Sequence, residues 1–412
     1  MELALPIRHP RQPDTVLLRE GVSLDALSIP HLRDLGVHEL WIRYPGLENL
    51  VRFVDPLLLA EYHTLTQRLG LALDQAMVRA PVEIDFYQCR RSVLSIIARL
   101  SDNPQAALWT AEVTGSERPF VRHSGNVCAL SLLMGMRLDF YLVRERSRLP
   151  AHRAKDIASL GIGALFHDIG MLRLPKADLA RYNASGDEAD PAWRAHTAIG
   201  FEMVRGVLDP AAATVVLHHH QRWDGSGFPQ RASLKGGAMA VSANEIHVFA
   251  RIAAAADMID RLTHPAWAPG ADGKARPSVP RVRALGQLAG EMGRRGLDPV
   301  VWRALMSVCP PYPPGSMVRL SDGGAAVVTG WTPMDPCRPE VELMDAALKP
   351  RKRRGRAVRI DLRGAPELSI VEIDGHDVRM DNYAPRSEGE FDLASIGRTM
   401  ENRAVELMRK AA

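Results

Sequence analysis

Five histidines and two aspartates between residues 123 and 257 have the types and spacing to build a hydrolytic metal centre: His123, His167, Asp168, His196, His219, His220 and Asp257. Imidazole nitrogen and carboxylate oxygen together suit divalent transition metals. Two such ions about 3.5–4 Å apart can acidify a water and clamp the oxygens of a phosphodiester for in-line displacement. A pair of ions is held together most simply by one shared carboxylate. Asp168 is the expected bridge, because it adjoins His167 and has two oxygens to offer. The densest signal is the run His218-His219-His220-Gln221-Arg222-Trp223-Asp224-Gly225-Ser226-Gly227-Phe228-Pro229. There, neighbouring imidazoles lead into a glycine-rich turn that lets a ligand approach the backbone closely.

Each residue also has a blander explanation. A lone helical histidine such as His123 or His196 is more often a hydrogen-bonded structural group than a ligand, and His-Asp is a common dipeptide. Asp257 stands apart, because it lies in the apolar run 252–259, where an ionised carboxylate is costly unless it is paired or bound to a metal. His218 qualifies as a ligand by composition alone. His38, His63, His152, His247, His264 and His376 have no comparable setting and read as structural or surface residues.

The surrounding chain must position these groups. At 412 residues it is long enough for two or three domains. Its net charge of +4 is too small to argue for a nucleic-acid polymer or a membrane surface. The four cysteines are scattered and read as reduced packing residues of a cytoplasmic protein. No window approaches the length of a membrane span. The N-terminus lacks a basic and then apolar signal.

Residues 1–80 mix short apolar segments with turns, including an expected strand through Val37, Leu40 and Ile42. They read as a small α/β module for regulation or partner binding. From 81 to 310 the periodicity turns helical. Val93, Ile96, Ile97 and Leu100 form one stripe of a helix over 84–102, stopped at Asn103-Pro104. Further helices are expected over 123–141, 154–169, 191–207, 211–221 and 245–262, so that every candidate ligand falls on a helix or at its end. Such ligands can converge in the middle of a bundle.

Residues 310–315 form a proline-rich connector, and 311–412 read as a β-rich extension. Val318 and Leu320 alternate ahead of a turn at 321–324, with a partner strand at 325–328. Further strands are expected at 358–362 and 368–373, and a closing helix near 393–410. The cationic stretch 349–356 reads as a solvated hairpin loop, with a polyanion or partner contact as the sharper alternative.

These residues carry a resemblance that covers roughly 85–330. His123-Ser124-Gly125-Asn126, Leu165-Phe166-His167-Asp168-Ile169-Gly170, His196-Thr197-Ala198, His219-His220 with Gly227-Phe228-Pro229, and 253–260 resemble, in order and spacing, the HD-GYP family of the HD phosphohydrolases. The fold implied is mainly α, an all-helical HD-type domain. The function implied is hydrolysis of cyclic di-GMP to pGpG or GMP in bacterial second-messenger signalling, through attack by a metal-activated hydroxide. The resemblance implies two divalent ions, iron or manganese, held by the seven residues above. It places Gly225, Gly227, Phe228 and Pro229 at the substrate, with Arg222 steadying the phosphate or the motif. It also admits signalling proteins such as diguanylate cyclases as partners, and a homodimer.

Several departures bear on catalysis. Met171 stands where the family has a lysine, so restoring that lysine is expected to raise affinity for the dinucleotide. Gln221 replaces a glutamate, Phe228 replaces the signature tyrosine, and an arginine segment after the last aspartate is not evident. Pro119 stands where trinuclear members carry a glutamate, which favours two metals. The competing functions are a weak or inactive family member that senses nucleotide or binds proteins, and a phosphohydrolase acting on another nucleotide.

Overall fold

A computed structural model describes residues 2–9, 12–37, 40–44, 46–78, 86–103, 118–185, 188–232, 237–264, 278–290, 295–393 and 397. The fold is mainly helical, with a six-stranded sheet towards the C-terminus.

The N-terminal unit is a hairpin of β1 (Ile7–His9) and β2 (Gln12–Leu18) with helix α1 (Ser28–Asp34). Leu3, Ile7, Leu24 and Leu32 form its small core. The strand expected through Val37, Leu40 and Ile42 does not form among the described residues. Ile42 bridges Leu3, flanked by backbone hydrogen bonds from Ala4 to Trp41 and from Arg43 to Glu2, and Val37 and Leu40 pack on that core.

Helix α2 (Pro56–Val78) was not anticipated as part of the helical body. Its Leu58, Tyr62, Leu65, Leu69 and Leu73 are buried in the same core as the helices that follow. Helical packing therefore begins well before residue 81.

The body continues with α3 (Phe86–Asp102), α4 (Pro119–Arg137), α5 (Asp139–Glu145), α6 (Ala158–Leu165), α7 (Lys176–Ser185), α8 (His196–Val204), α9 (Pro210–His218) and α10 (Val248–Thr263). Helices α11 (Arg281–Ala289) and α12 (Pro299–Val308) close it. On α3 the predicted stripe is buried at Val93, Ile96 and Leu100. Helices α4, α6 and α10 are buried along nearly their whole length and form the centre of the bundle.

Local chemistry decides where these helices start and stop. Asp209 accepts a hydrogen bond from the Ala211 N–H and Pro210 takes the first helical position, so α9 begins there and ends at His218. His219 and His220 consequently sit in the turn beyond the helix rather than on it. The expected helix over 154–169 is shorter as well. It ends at Leu165, and a 3-10 turn (Ile169–Arg173) follows, which leaves His167 and Asp168 at the junction.

The sheet runs in the order β6-β5-β4-β3-β7-β8, antiparallel throughout. Its strands are β3 (Met317–Leu320), β4 (Ala325–Gly330), β5 (Glu340–Leu343), β6 (Arg359–Asp361), β7 (Ile370–Ile373) and β8 (His376–Asp377). The hairpin β3–β4 pairs Val318 with Ala326, as the alternation predicts. The connector before it is no free linker: 309–314 are buried, and Tyr312 and Val282 of α11 join the core of the sheet. The charged side chains of 349–356 are all exposed, around a short pairing of Lys352–Arg353 with Arg356–Ala357. Apart from residue 397, the closing helix expected near 393–410 lies outside the described residues beyond Leu393.

A buried polar network ties the body together behind the glycine-rich turn. The Arg251 guanidinium donates to Asp298 Oδ2 at 2.6 Å and to the Tyr141 hydroxyl at 2.7 Å, and it also pairs with Glu145. It lies 5.4 Å from the Trp223 ring centroid. Burial alone would disfavour its charge, but the surrounding acids outweigh that and strengthen it. Arg251→Ala would leave two buried carboxylates without their cation, and removing one partner of a buried pair costs about 3–5 kcal/mol. We expect a urea midpoint lowered accordingly, whereas Arg251→Lys should recover part of the loss.

Candidate metal centre

The seven sequence-predicted ligands converge although they lie on separate elements, and each is at most 3% exposed. They form two groups that share Asp168. One comprises Asp168, His196, His219 and His220; the other comprises His123, His167, Asp168 and Asp257. Asp168 Oδ1 lies 3.2 Å from His196 Nε2 and 3.3 Å from His219 Nε2. Its Oδ2 lies 3.2 Å from His167 Nε2 and 3.5 Å from His123 Nε2. Asp257 Oδ1 completes the second group, 3.1 Å from His123 and 3.6 Å from His167.

The outer ring nitrogens fix the tautomers. Nδ1 of His167, His196 and His219 faces the carbonyl three residues earlier, of Ala164, Trp193 and Val216, at 2.8, 2.7 and 3.0 Å. A carbonyl only accepts, so each Nδ1 carries the proton and each Nε2 turns a lone pair inward. His123 Nδ1 is held in the same way by Asp260 Oδ2 at 2.7 Å. Two Nε2–Nε2 contacts result, at 3.1 Å between His123 and His167 and at 3.3 Å between His196 and His219. Lone pairs facing each other at that distance repel unless positive charge lies between them.

Some donor atoms have no hydrogen-bond partner at all. Both nitrogens of His220, Asp168 Oδ1 and Asp257 Oδ2 are buried in this state. Orphaned buried groups are rare and costly, and this donor set of imidazoles and carboxylates is the one divalent ions take. The residues fit a metal pair.

Electrostatics point the same way. Burial pushes the His219 ring down to about 4. His220 is held well below the ordinary histidine range, first by burial and then by His219. Both are therefore neutral and ready to ligate at pH 7. Burial opposes charge on Asp168, but His167 and Arg261 outweigh it and hold the carboxyl well below its usual range. Asp257 is depressed in the same sense, against its burial, by Arg261 and His123. The second group differs: burial opposes charge on His123, yet Asp168, Asp257 and Asp260 outweigh it and raise that ring well above its ordinary value, so an ion there would take the place of the proton on Nε2.

Close backbone packing brings the ligands together. A Cβ on Gly170 would lie 2.0 Å from the His196 carbonyl oxygen and 2.6 Å from the Gly200 nitrogen, so only glycine lets α8 press against the turn that carries Asp168. A Cβ on Gly227 would lie 2.4 Å from both the Arg222 nitrogen and the His220 oxygen. The Phe228 N–H donates to the His220 carbonyl at 3.2 Å, and its ring stacks on His220 at 4.6 Å and 17°. Gln221 Nε2 donates to the Pro229 carbonyl at 2.5 Å. The loop of Gly225, Gly227, Phe228 and Pro229 thus braces His220, and its aromatic ring faces inward.

Residues 120–262 match the family profile described as the HD domain. The chain carries an HD domain. The chain is 28% identical over 268 residues to a cyclic di-GMP phosphodiesterase of Pseudomonas aeruginosa, covering 63% of this chain and 54% of the relative. A cyclic di-GMP phosphodiesterase of Thermotoga maritima is 29% identical over 26% of this chain and 27% of its own length. A cyclic di-GMP phosphodiesterase response regulator of Xanthomonas campestris is 30% identical over the same shares. The chain thus spans about half the length of the first relative and about a quarter of the other two. A solved HDG"Y"P protein of Bdellovibrio bacteriovorus, 15% identical, superposes with a TM-score of 0.43 over 74% of this chain and 94% of that one.

Other residues of the HD domain fall differently from expectation. Arg222 is not brought to the cluster: it donates to the Gln221 carbonyl at 3.3 Å and lies 3.7 Å from Glu188. His218 stays outside the two ligand groups, its ring pushed down to about 4 by burial. The cation beside the acids is Arg261, which the sequence pattern did not single out. Its Nε donates to Asp257 Oδ1 at 2.6 Å, Nη2 to Asp168 Oδ2 at 3.2 Å and Nη1 to the Tyr182 hydroxyl at 2.8 Å. Asp260 was missed as well. It supports His123 and accepts from Asn126 Nδ2 at 2.7 Å, and it lies 2.9 Å from His264 Nδ1, which is therefore part of this outer layer. Helical spacing from Asp257, at i+3 and i+4, was the available signal.

Met171 requires a correction. It is 2% exposed in an apolar cluster with Leu174, Tyr182, Trp193 and Phe228. A lysine there would bury an ammonium among hydrocarbon. Met171→Lys should lower the melting temperature and leave dinucleotide affinity ungained, as thermal melts and calorimetry would read. Gly170→Ala should separate His196 from Asp168. We expect a loss of about 1–3 kcal/mol or more from overpacking, together with reduced metal content by elemental analysis.

Proposed function

We propose that this chain is a metal-dependent phosphodiesterase that opens cyclic di-GMP to pGpG or GMP. The single observation that supports it is the set of inward-facing Nε2 lone pairs gathered on two sides of Asp168. The substrate is suggested by the curated relatives, which are cyclic di-GMP phosphodiesterases.

In this reading His196, His219, His220 and Asp168 hold one ion, and His123, His167, Asp168 and Asp257 the other. When bound, divalent ions supply the Lewis acidity that activates water and offsets phosphate charge. Iron or manganese suits the mix of imidazole and carboxylate. The protein's own contribution is orientation. Backbone carbonyls and Asp260 keep the proton on the outer nitrogen of four rings, so the inner nitrogens stay available. Phe228, stacked on His220, keeps water from that side of the ring.

A second reading rests on one observation: the residues at positions where the family holds the dinucleotide are buried in an apolar cluster or paired elsewhere. Met171 and Phe228 are buried in the wall, and Arg222 pairs elsewhere. That arrangement favours slow turnover, or a nucleotide sensor that retains the metal. Calorimetry showing tight cyclic di-GMP binding without product would support the sensor.

The test is direct. Protein loaded anaerobically with iron or manganese should convert cyclic di-GMP to pGpG or GMP by chromatography. His167→Ala and Asp168→Ala should each lose activity by at least about 100-fold, beyond the effect of an outer-layer change, while circular dichroism keeps the helical signal. Metal content unchanged in either variant would defeat the ligand assignment.

A further inference from the structure

Asp168 divides its oxygens between the two ligand groups, and Arg261 touches one side only. The guanidinium reaches Asp168 Oδ2 and Asp257 Oδ1 at 3.2 and 2.6 Å. These are the same two oxygens that lie 3.1–3.6 Å from the Nε2 atoms of His123 and His167. On the other side, Asp168 Oδ1 and both His220 nitrogens have no hydrogen-bond partner, whereas on the Arg261 side only Asp257 Oδ2 among the carboxylate oxygens is left so. One position therefore already holds an internal cation on its anionic oxygens, and the other offers open donors.

We infer that Arg261 makes the two metal positions unequal, with the first ion bound tightly by His196, His219, His220 and Asp168 and the second held weakly by His123, His167, Asp168 and Asp257. This deepens the metal reading of the site and rests on it. An ion entering the second position must displace charge-assisted hydrogen bonds from both carboxylates. It must also settle beside a fixed positive charge in a site poor in water, where like charges repel strongly. The guanidinium cannot relieve this by losing its proton. Nor does it swing freely, because the Tyr182 hydroxyl and the Trp193 ring, 5.5 Å from the guanidinium carbon, hold it from behind. Helical spacing puts Arg261 one turn beyond Asp257, so the residue that supplies a carboxylate to the second position also brings its competitor.

Equilibrium dialysis of the metal-free full chain against Mn2+, read by elemental analysis, tests this. Wild type should take up one ion tightly and a second at least about tenfold more weakly, a modest effect for a cation this close. Arg261→Met, which keeps the length and removes the charge, should bind both ions with similar affinity. Arg261→Lys should retain the inequality. His220→Ala should weaken the first ion and leave the second, a result that holds whether or not the Arg261 variants fold. Two equally tight ions in wild type, an Arg261→Met profile identical to wild type, or a tight ion untouched by His220→Ala would overturn the inference while leaving the metal reading intact. No Mn2+ bound by folded wild type would sink the metal reading itself, and this inference with it.

Discussion

Four imidazoles in the middle of this helical body have their outer nitrogens tied down, three to backbone carbonyls and one to Asp260. Because those partners only accept, each ring in its neutral form turns the lone pair of its inner nitrogen towards the shared carboxylate Asp168. Such an arrangement is unstable without positive charge at its centre. The buried carboxylates, the depressed rings of His219 and His220, and the placement of Arg261 all answer to that requirement.

The rest of the fold meets the geometric demands this creates. The ligands come from α4, the turn after α6, α8, the turn after α9, and α10, so five separate pieces of chain must hold their relative positions. Gly170 permits contact between the Asp168 turn and α8 at a distance no side chain allows, and Gly227 does the same for the loop under His220. Trp193 packs against His196, His220, Tyr182 and Phe228. The Arg251 network joins α5, α10 and the approach to α12 behind Trp223. Rigidity of this kind is what a site with several convergent donors needs.

The glycine-rich turn has a structural part that its composition did not announce. Gly-Phe-Pro reads as a surface for substrate, yet Phe228 is buried and stacked on His220, and Gln221 clasps the Pro229 carbonyl. Replacing the signature tyrosine by Phe228 removes a hydroxyl from a ring that sits in an apolar wall, where no polar partner is needed. Met171 belongs to the same wall. The two departures are therefore compatible with each other as packing, whatever they cost in contacts to a nucleotide.

Much of this was legible in the residues alone. The histidine and aspartate spacing, the helical periodicity of Val93, Ile96 and Leu100, and the alternation of β3 and β4 depend on local chemistry, and local chemistry is written in order along the chain. The carboxylate of Asp257 in an apolar run announced itself because burying such a charge without a partner is prohibitive. Helix ends were less legible: Asp209 with Pro210 set the start of α9, and its length put His219 and His220 beyond it. Of the strand expected through Val37, Leu40 and Ile42, the described residues keep only a short pairing of 41–43 with 2–4, while Val37 and Leu40 pack on a small core. Only the tertiary structure decided that α2 joins the central core, that Met171 and Phe228 face inward, and that Arg261 rather than Arg222 meets the acids. The reason is physical. Residue type and period fix what a side chain can do, but which neighbour it meets depends on packing between segments far apart in the chain.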